Sequence, residues 1–155
     1  MFPLEKCIDD QLRAVRGSTP TLIFPEADDP RVVCAASGLI QYAKIVLVAR
    51  REDVERLVDE QDLKLRVARQ RFFQSVVFAP PEEEPEMCEI FSAELTEKSR
   101  GRSWEVSRDE ARRLVLEPVY FAILAVRLGY ADAVLGGVTH SSRDFFQPCL
   151  RLLER

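Results

Sequence analysis

The stretch Glu117–Pro148, EPVYFAILAVRLGYADAVLGGVTHSSRDFFQP, decides how the chain is read. Pro118 opens a helix at the position where a missing N–H costs nothing, and Tyr120–Leu128 is apolar on nearly every side, as in a central buried helix. Gly129 supplies a tight turn, and Ala131–Leu135 is a short apolar strand. Gly136 and Gly137 then lead into Thr139, His140, Ser141 and Ser142. Two glycines and several hydroxyls between a strand and a helix form the pattern of an anion cradle. Small residues let the backbone approach a ligand, and unpaired N–H groups attract negative charge. The candidate ligand-binding residues are Gly137, Thr139, His140, Ser141, Ser142 and Arg143. The plainer reading runs slightly ahead of this one: glycines make turns, hydroxyls cap helices, and Arg143 is solvated or paired with Asp144.

Working outward, the preceding chain alternates helix and strand. Apolar residues at Leu4, Ile8, Leu12 and Val15 mark one helix face, and Thr21–Phe24 is a strand stopped by Pro25. Asp29 and Pro30 have the N-cap and first-position chemistry of a helix running to about Tyr42. Lys44–Val48 is the unbroken apolar run of a strand covered on both faces, and Arg51–Asp59 is amphipathic. Such alternation with short connections predicts a mostly parallel sheet between layers of helices, a three-layer α/β sandwich forming a single domain over residues 1–155.

The middle is less regular. Leu63–Phe73 fits a strand, a short helix or a loop, and Ser75–Phe78 a strand. Ala79–Pro85, with three prolines and three glutamates, is a surface loop. Met87–Glu97 is a helix, Lys98–Arg102 a basic loop, and Ser107 with Glu110 a capping box. Pro148 argues that Ser142–Phe146 is no more than a turn, with a last helix starting at Pro148.

Function classes are narrowed by composition. A net charge of −4 and a pI near 5.2 argue against a general nucleic-acid binder. No apolar run spans a bilayer, and the acids in MFPLEKCIDD interrupt any signal-peptide core, so a cytoplasmic, non-membrane protein is expected. Cys7, Cys34, Cys88 and Cys149 lack metal-knuckle or redox spacing, and with His140 the sole histidine no metal is expected. The carboxylates Glu26, Asp28 and Asp29 follow the first strand, on the rim where parallel sheets bind ligands. Helix capping and pairing with Arg31 are the expected roles there, and no carboxylate is placed by sequence to orient His140.

The segments LIFPEADDPRVVCAA, KIVLVARREDVERL, SRDEARRLVLEPVYFAILAVRLGYADAVLGGVTHSS and QPCLRLLER, in this order, resemble the phosphate acetyltransferase/phosphate butyryltransferase family. The resemblance implies the first half of a two-domain α/β fold with its site in the interdomain cleft. It further implies acyl transfer between coenzyme A and phosphate, with phosphate, acyl phosphate or acyl-CoA as small-molecule partners. Coenzyme A would be a substrate, and no cofactor or metal is implied.

Three departures from the family pattern stand out. The chain is about half the usual length, and the family's late serine, arginine and aspartate near the coenzyme A thiol have no counterpart. Thr96 follows Glu94-Leu95 where the family carries an arginine, and Gln147 precedes Pro148 where it carries another. Losing a charge-assisted contact to a transition state costs on the order of 100-fold in rate. The expectation is a truncated member with little or no activity as an isolated chain. Alternatives are a non-catalytic regulatory domain that binds acetyl-CoA or acetyl phosphate, and one half of a split enzyme, assembled as a homo-oligomer or with a companion second-half chain.

Overall fold

The computed structural model describes residues 19–153, so the helix expected at Leu4–Val15, and Cys7 with it, lies outside the described residues. Four strands, β1 (Thr21–Phe24), β2 (Lys44–Leu47), β3 (Val76–Phe78) and β4 (Ala133–Val134), form one sheet in the order β3-β2-β1-β4. Every pairing is parallel: Ile23 lies opposite Val46 and Val134, and Val46 opposite Val77. The helices are α1 (Pro30–Leu39), α2 (Arg51–Glu60), α3 (Arg69–Ser75), α4 (Pro85–Ser99), α5 (Arg108–Leu114), α6 (Pro118–Arg127) and α7 (Ser142–Leu153).

The strands alternate their side chains between two cores, as period two requires. Ile23 and Val48 join Phe91, Leu95, Val119, Phe121, Ile123, Leu124, Phe145 and Leu152 on the side covered by α4–α7. Phe24, Ile45 and Leu47 join Val33, Val54, Phe72 and Phe73 on the side covered by α1–α3. This is the three-layer α/β sandwich expected from the alternation of elements.

Local chemistry sets the boundaries. The Asp29 side chain caps α1 by accepting from the Arg31 N–H at 2.8 Å, with Pro30 at the first position. Ser107 accepts from the Glu110 N–H at 3.2 Å and caps α5. At the end of α6, Gly129 takes φ 80°, Tyr130 N–H donates to the Ala125 carbonyl at 2.8 Å, and Gly129 N–H to Val126 at 3.1 Å. That is a Schellman closure, which needs the left-handed residue glycine provides. The chain then turns directly into β4.

Several boundaries differ from the sequence expectation. Helix α1 ends at Leu39 instead of Tyr42, because the Leu39 carbonyl accepts from both Tyr42 and Ala43 in a closing turn. The open stretch Leu63–Phe73 resolves into a loop and then α3, which buries Phe72 and Phe73. Buried Ser37 holds the loop by accepting from the Arg66 N–H at 2.8 Å. Inside Ala79–Pro85 lies a single 3₁₀ turn, Pro81–Glu83. Helix α4 runs to Ser99 and absorbs the start of the basic loop, since the Ser99 hydroxyl links Thr96 and Val106. Strand β4 covers two residues only, but flanking ladder bonds from Asp132 N–H to Thr21 and Leu135 N–H to Ile23 extend its register across the expected segment.

The largest difference is α7, which runs unbroken from Ser142 through Pro148 to Leu153. Proline removes one intrahelical donor, yet Phe145, Pro148 and Leu152 all lie buried on the inner face of α7. Arg127 of α6 adds a donor to the Leu152 carbonyl at 2.8 Å and pairs with Glu94 of α4 at 2.6 Å. Tertiary packing on α6 therefore outweighs the local penalty of proline.

Phe91 is fully buried, with its ring 5.1 Å from Phe121, whereas its neighbour Ile90 is 47% exposed. Phe91→Ala is expected to cost about 3–5 kcal/mol. Ile90→Ala should stay within about 0.5 kcal/mol. Urea unfolding of both variants checks the assignment of the α4 face.

Candidate anion-binding site

Both β1 and β4 end at the same rim of the sheet, because they are parallel neighbours. The chain after β1, Pro25-Glu26-Ala27, therefore meets the chain after β4, Gly136–Ser142. Glu26 is 1% exposed and reaches straight into that turn. Its Oε2 accepts from the Val138 N–H at 2.8 Å. Its Oε1 accepts from the Thr139 N–H, the Thr139 hydroxyl and the His140 N–H, each at 2.9 Å, and lies 2.8 Å from His140 Nδ1. The turn does cradle an anion, and the anion is the protein's own carboxylate.

Burial opposes ionisation of Glu26, but the donors from Val138, the His140 ring and N–H, and Thr139 together outweigh it. The carboxyl is held far below the usual carboxylate range, so it is ionised throughout the neutral region. The sequence expectation for the turn is corrected on two points. The backbone N–H groups of residues 138–140 are not unpaired, and a carboxylate does orient His140. Asp29, by contrast, keeps its expected role, capping α1 and pairing with Arg31 at 2.8 Å.

Glycine is required at both positions before the turn. Gly137 adopts φ 91°, and a Cβ on Gly136 would run into the buried ring of Phe145. Ser141 is committed to capping α7: its hydroxyl donates to Asp144 at 2.6 Å and accepts from the Asp144 N–H at 3.2 Å. Of the two plain roles expected for Arg143, solvated or paired with Asp144, the solvated one is observed, and Asp144 is held by Ser141 instead. What remains turned to solvent is the His140 ring, the Ser142 hydroxyl and the Arg143 guanidinium.

Arg31, paired with Asp29, also reaches the turn, its guanidinium donating to the Val138 carbonyl at 3.5 Å, whereas the cations of the basic loop have partners elsewhere. Arg100 pairs with Glu97 at 2.8 Å, and Arg102 lies over the Trp104 ring at 5.8 Å. Thr96 spends its hydroxyl on the Ser92 carbonyl one turn back in α4. Beside Glu26, on the same rim, an open cleft of about 360 Å³ is lined by Ala27, Asp28, Ala49, Asp53, Arg56, Leu57 and Glu60. Three carboxylates against one guanidinium make it a poor seat for an anion. Among the described residues no group of side chains has the composition to hold a metal ion, and no helix is long and apolar enough to cross a membrane. Cys34, Cys88 and Cys149 are unpaired and half-buried, and burial, with nearby glutamates in the first case, pushes the thiols of Cys88 and Cys149 up.

The family model for phosphate acetyl/butaryl transferase matches residues 7–155. The chain belongs to that family. A phosphate acetyltransferase from Helicobacter pylori is 29% identical over 155 residues, covering 97% of this chain and 26% of the relative. One from Acetivibrio thermocellus is 25% identical over 151 residues, covering 95% of this chain and 41% of the relative. A phosphotransacetylase crystal structure from Streptococcus pyogenes superposes with a TM-score of 0.71 at 23% identity, covering 95% of this chain and 42% of that one. The same layered α/β fold is shared. This phosphate acetyl/butaryl transferase family member thus spans less than half the length of the relatives it matches.

Glu26 was not singled out by spacing, since its partners lie more than 110 residues away in sequence. The one available signal was its place just after a strand, on the ligand-binding rim. Because the folded-state value of Glu26 lies below its ordinary 4.5, its contribution is fully present above that pH and is lost as pH falls below it. Glu26→Gln should be less stable than wild type at pH 7 by about 1–3 kcal/mol, with the gap narrowing on acidification. Thermal unfolding of the two proteins across pH 7 to 3 measures this directly.

Proposed function

We propose that the chain is the phosphate-side part of an acyl-CoA:phosphate acyltransferase fold, a single domain over residues 1–155 that binds phosphate or an acyl phosphate at the turn. The observation that carries this reading is the Glu26-braced turn, which presents His140, Ser142 and Arg143 at the start of α7. A fixed helix start with an adjacent guanidinium and hydroxyl suits a phosphate oxygen. Family membership supports the reaction class, transfer of an acyl group between coenzyme A and phosphate. Coenzyme A enters as substrate, and the reading calls for no cofactor.

On its own the chain turns over weakly or not at all. The two positions where the resemblance expects phosphate-side arginines hold Thr96 and Gln147, and neither Arg100 nor Arg102 is directed to the turn. Titration calorimetry with acetyl phosphate should detect binding that Arg143→Ala weakens about tenfold. An acyl-CoA/phosphate assay should show no robust rate; turnover abolished by Ser142→Ala would overturn the low-activity reading.

A second observation favours a companion that completes the fold. Phe146, Leu150 and Leu153 are 58%, 63% and 38% exposed on one flank of α7, where they extend its buried face. Such a stripe is the mark of a covered surface. Native mass measurement should find the chain associated with a polypeptide that bears the remaining part of the family fold. A monomer whose solubility and mass are unchanged by Phe146→Asp together with Leu150→Asp would remove the companion from the reading.

A further inference from the structure

An ionised carboxylate has nothing to donate. Glu26 collects three backbone N–H groups and one hydroxyl, so the hydrogen in its 2.8 Å contact with His140 must sit on ring Nδ1. Thr139 Oγ1, 3.3 Å from Nδ1, already donates to Glu26 and can only share the same ring hydrogen as an acceptor. A neutral imidazole carries one proton. The lone pair is therefore on Nε2.

Exposure agrees with this. The His140 side chain is 40% exposed while that of Glu26 is 0% exposed, so the open edge of the ring is the one away from the carboxylate. No protein group among the described residues is hydrogen-bonded to Nε2. The arrangement is the carboxylate–imidazole pairing that fixes a tautomer and steadies the imidazolium once the second nitrogen is protonated.

We propose that His140 is a proton acceptor at this site, held by Glu26 as a positioning residue. Its Nε2 takes an acidic hydrogen from sulfur or from a phosphate oxygen of a ligand on the turn. The X–H bond breaks, the proton goes to Nε2, and X keeps the electron pair. The ring becomes an imidazolium that still donates Nδ1–H to Glu26, with its positive charge beside the buried negative one. The identity of the ligand rests on the phosphate and coenzyme A reading above; the tautomer does not. A purely structural histidine, serving the turn through Nδ1, would leave Nε2 indifferent to ligand.

The chain holds one histidine, so a long-range proton–nitrogen spectrum reports a single imidazole. In the neutral ring, Nδ1 should show the protonated signature and Nε2 the unprotonated one. Adding inorganic phosphate, or coenzyme A in a separate arm, should move Nε2 towards the protonated signature while Nδ1 stays. Coenzyme A disulfide, which has no S–H, separates the thiol from the phosphates of the same molecule. In Glu26→Gln the two tautomers should mix, because an amide can either accept from or donate to Nδ1. Thr139→Val removes the hydroxyl but keeps the carboxylate, and it should keep the tautomer. An Nε2–H ring in the wild-type protein overturns the proposal outright. So does an unmoved Nε2 when calorimetry on the same sample shows phosphate or coenzyme A bound. If calorimetry shows neither ligand binding, the proton-acceptor role falls together with the binding reading, while the tautomer result still judges the Glu26–His140 pairing alone.

Discussion

A buried carboxylate accepting four hydrogen bonds from a single turn, with a fifth contact to an imidazole, is the constraint on which the candidate site depends. Glu26 stands at the end of β1 and the turn begins at the end of β4, so the bonds tie together two elements that only the sheet brings into register. An isolated ionised carboxylate in an apolar interior would be untenable. Here its donors are preorganised, and the turn in return gains a fixed conformation for a run of backbone that is otherwise exposed to solvent. Glycine at 136 and 137 makes the geometry available, and Phe145 fills the space that a side chain there would need.

That arrangement changes the chemistry of the turn. The backbone donors that would greet an incoming phosphate are already satisfied from within, so any ligand must be met by the outward side: the far edge of His140, Ser142, Arg143 and the first turn of α7. Ser141 is withdrawn from that set by its cap on Asp144. The internal anion thus works as scaffold, and recognition passes to side chains. A nearby cleft on the same rim is acidic and repels the same ligands, which concentrates the anion-attracting chemistry on one side of Glu26.

Helices α4, α6 and α7 form the support behind the site. Arg127 at the end of α6 joins Glu94 and the Leu152 carbonyl, so one side chain spans all three. Phe145 belongs both to this core and to the floor of the glycine turn. Packing at α7 is therefore coupled to the shape of the turn: a change that shifts the helix also moves the backbone that Glu26 holds. The exposed flank of α7 sits beside the same elements, so a companion covering it would act on the site through this helix.

Much of the fold was legible in local patterns. Strands Thr21–Phe24 and Lys44–Val48, the caps at Asp29 and Ser107, the buried helix after Pro118 and the turn at Gly129 follow from short-range sterics and hydrogen bonding, which neighbouring residues decide. The alternation of helix and strand was enough for a parallel sheet between two helical layers, and the quoted motifs were enough for the family. Three features came only from tertiary structure. Helix α7 continues through Pro148 because burial against α6 outweighs one lost hydrogen bond. Residues 69–75 become a helix, after a loop over 63–68, because Phe72 and Phe73 find a core. Glu26, spaced like a capping or ion-paired residue, becomes the centre of the site because β4 returns beside β1. A sequence pattern reports what a residue can do with its neighbours along the chain; which donors a carboxylate will meet from across the sheet is set by strand order, and strand order is a property of the folded molecule.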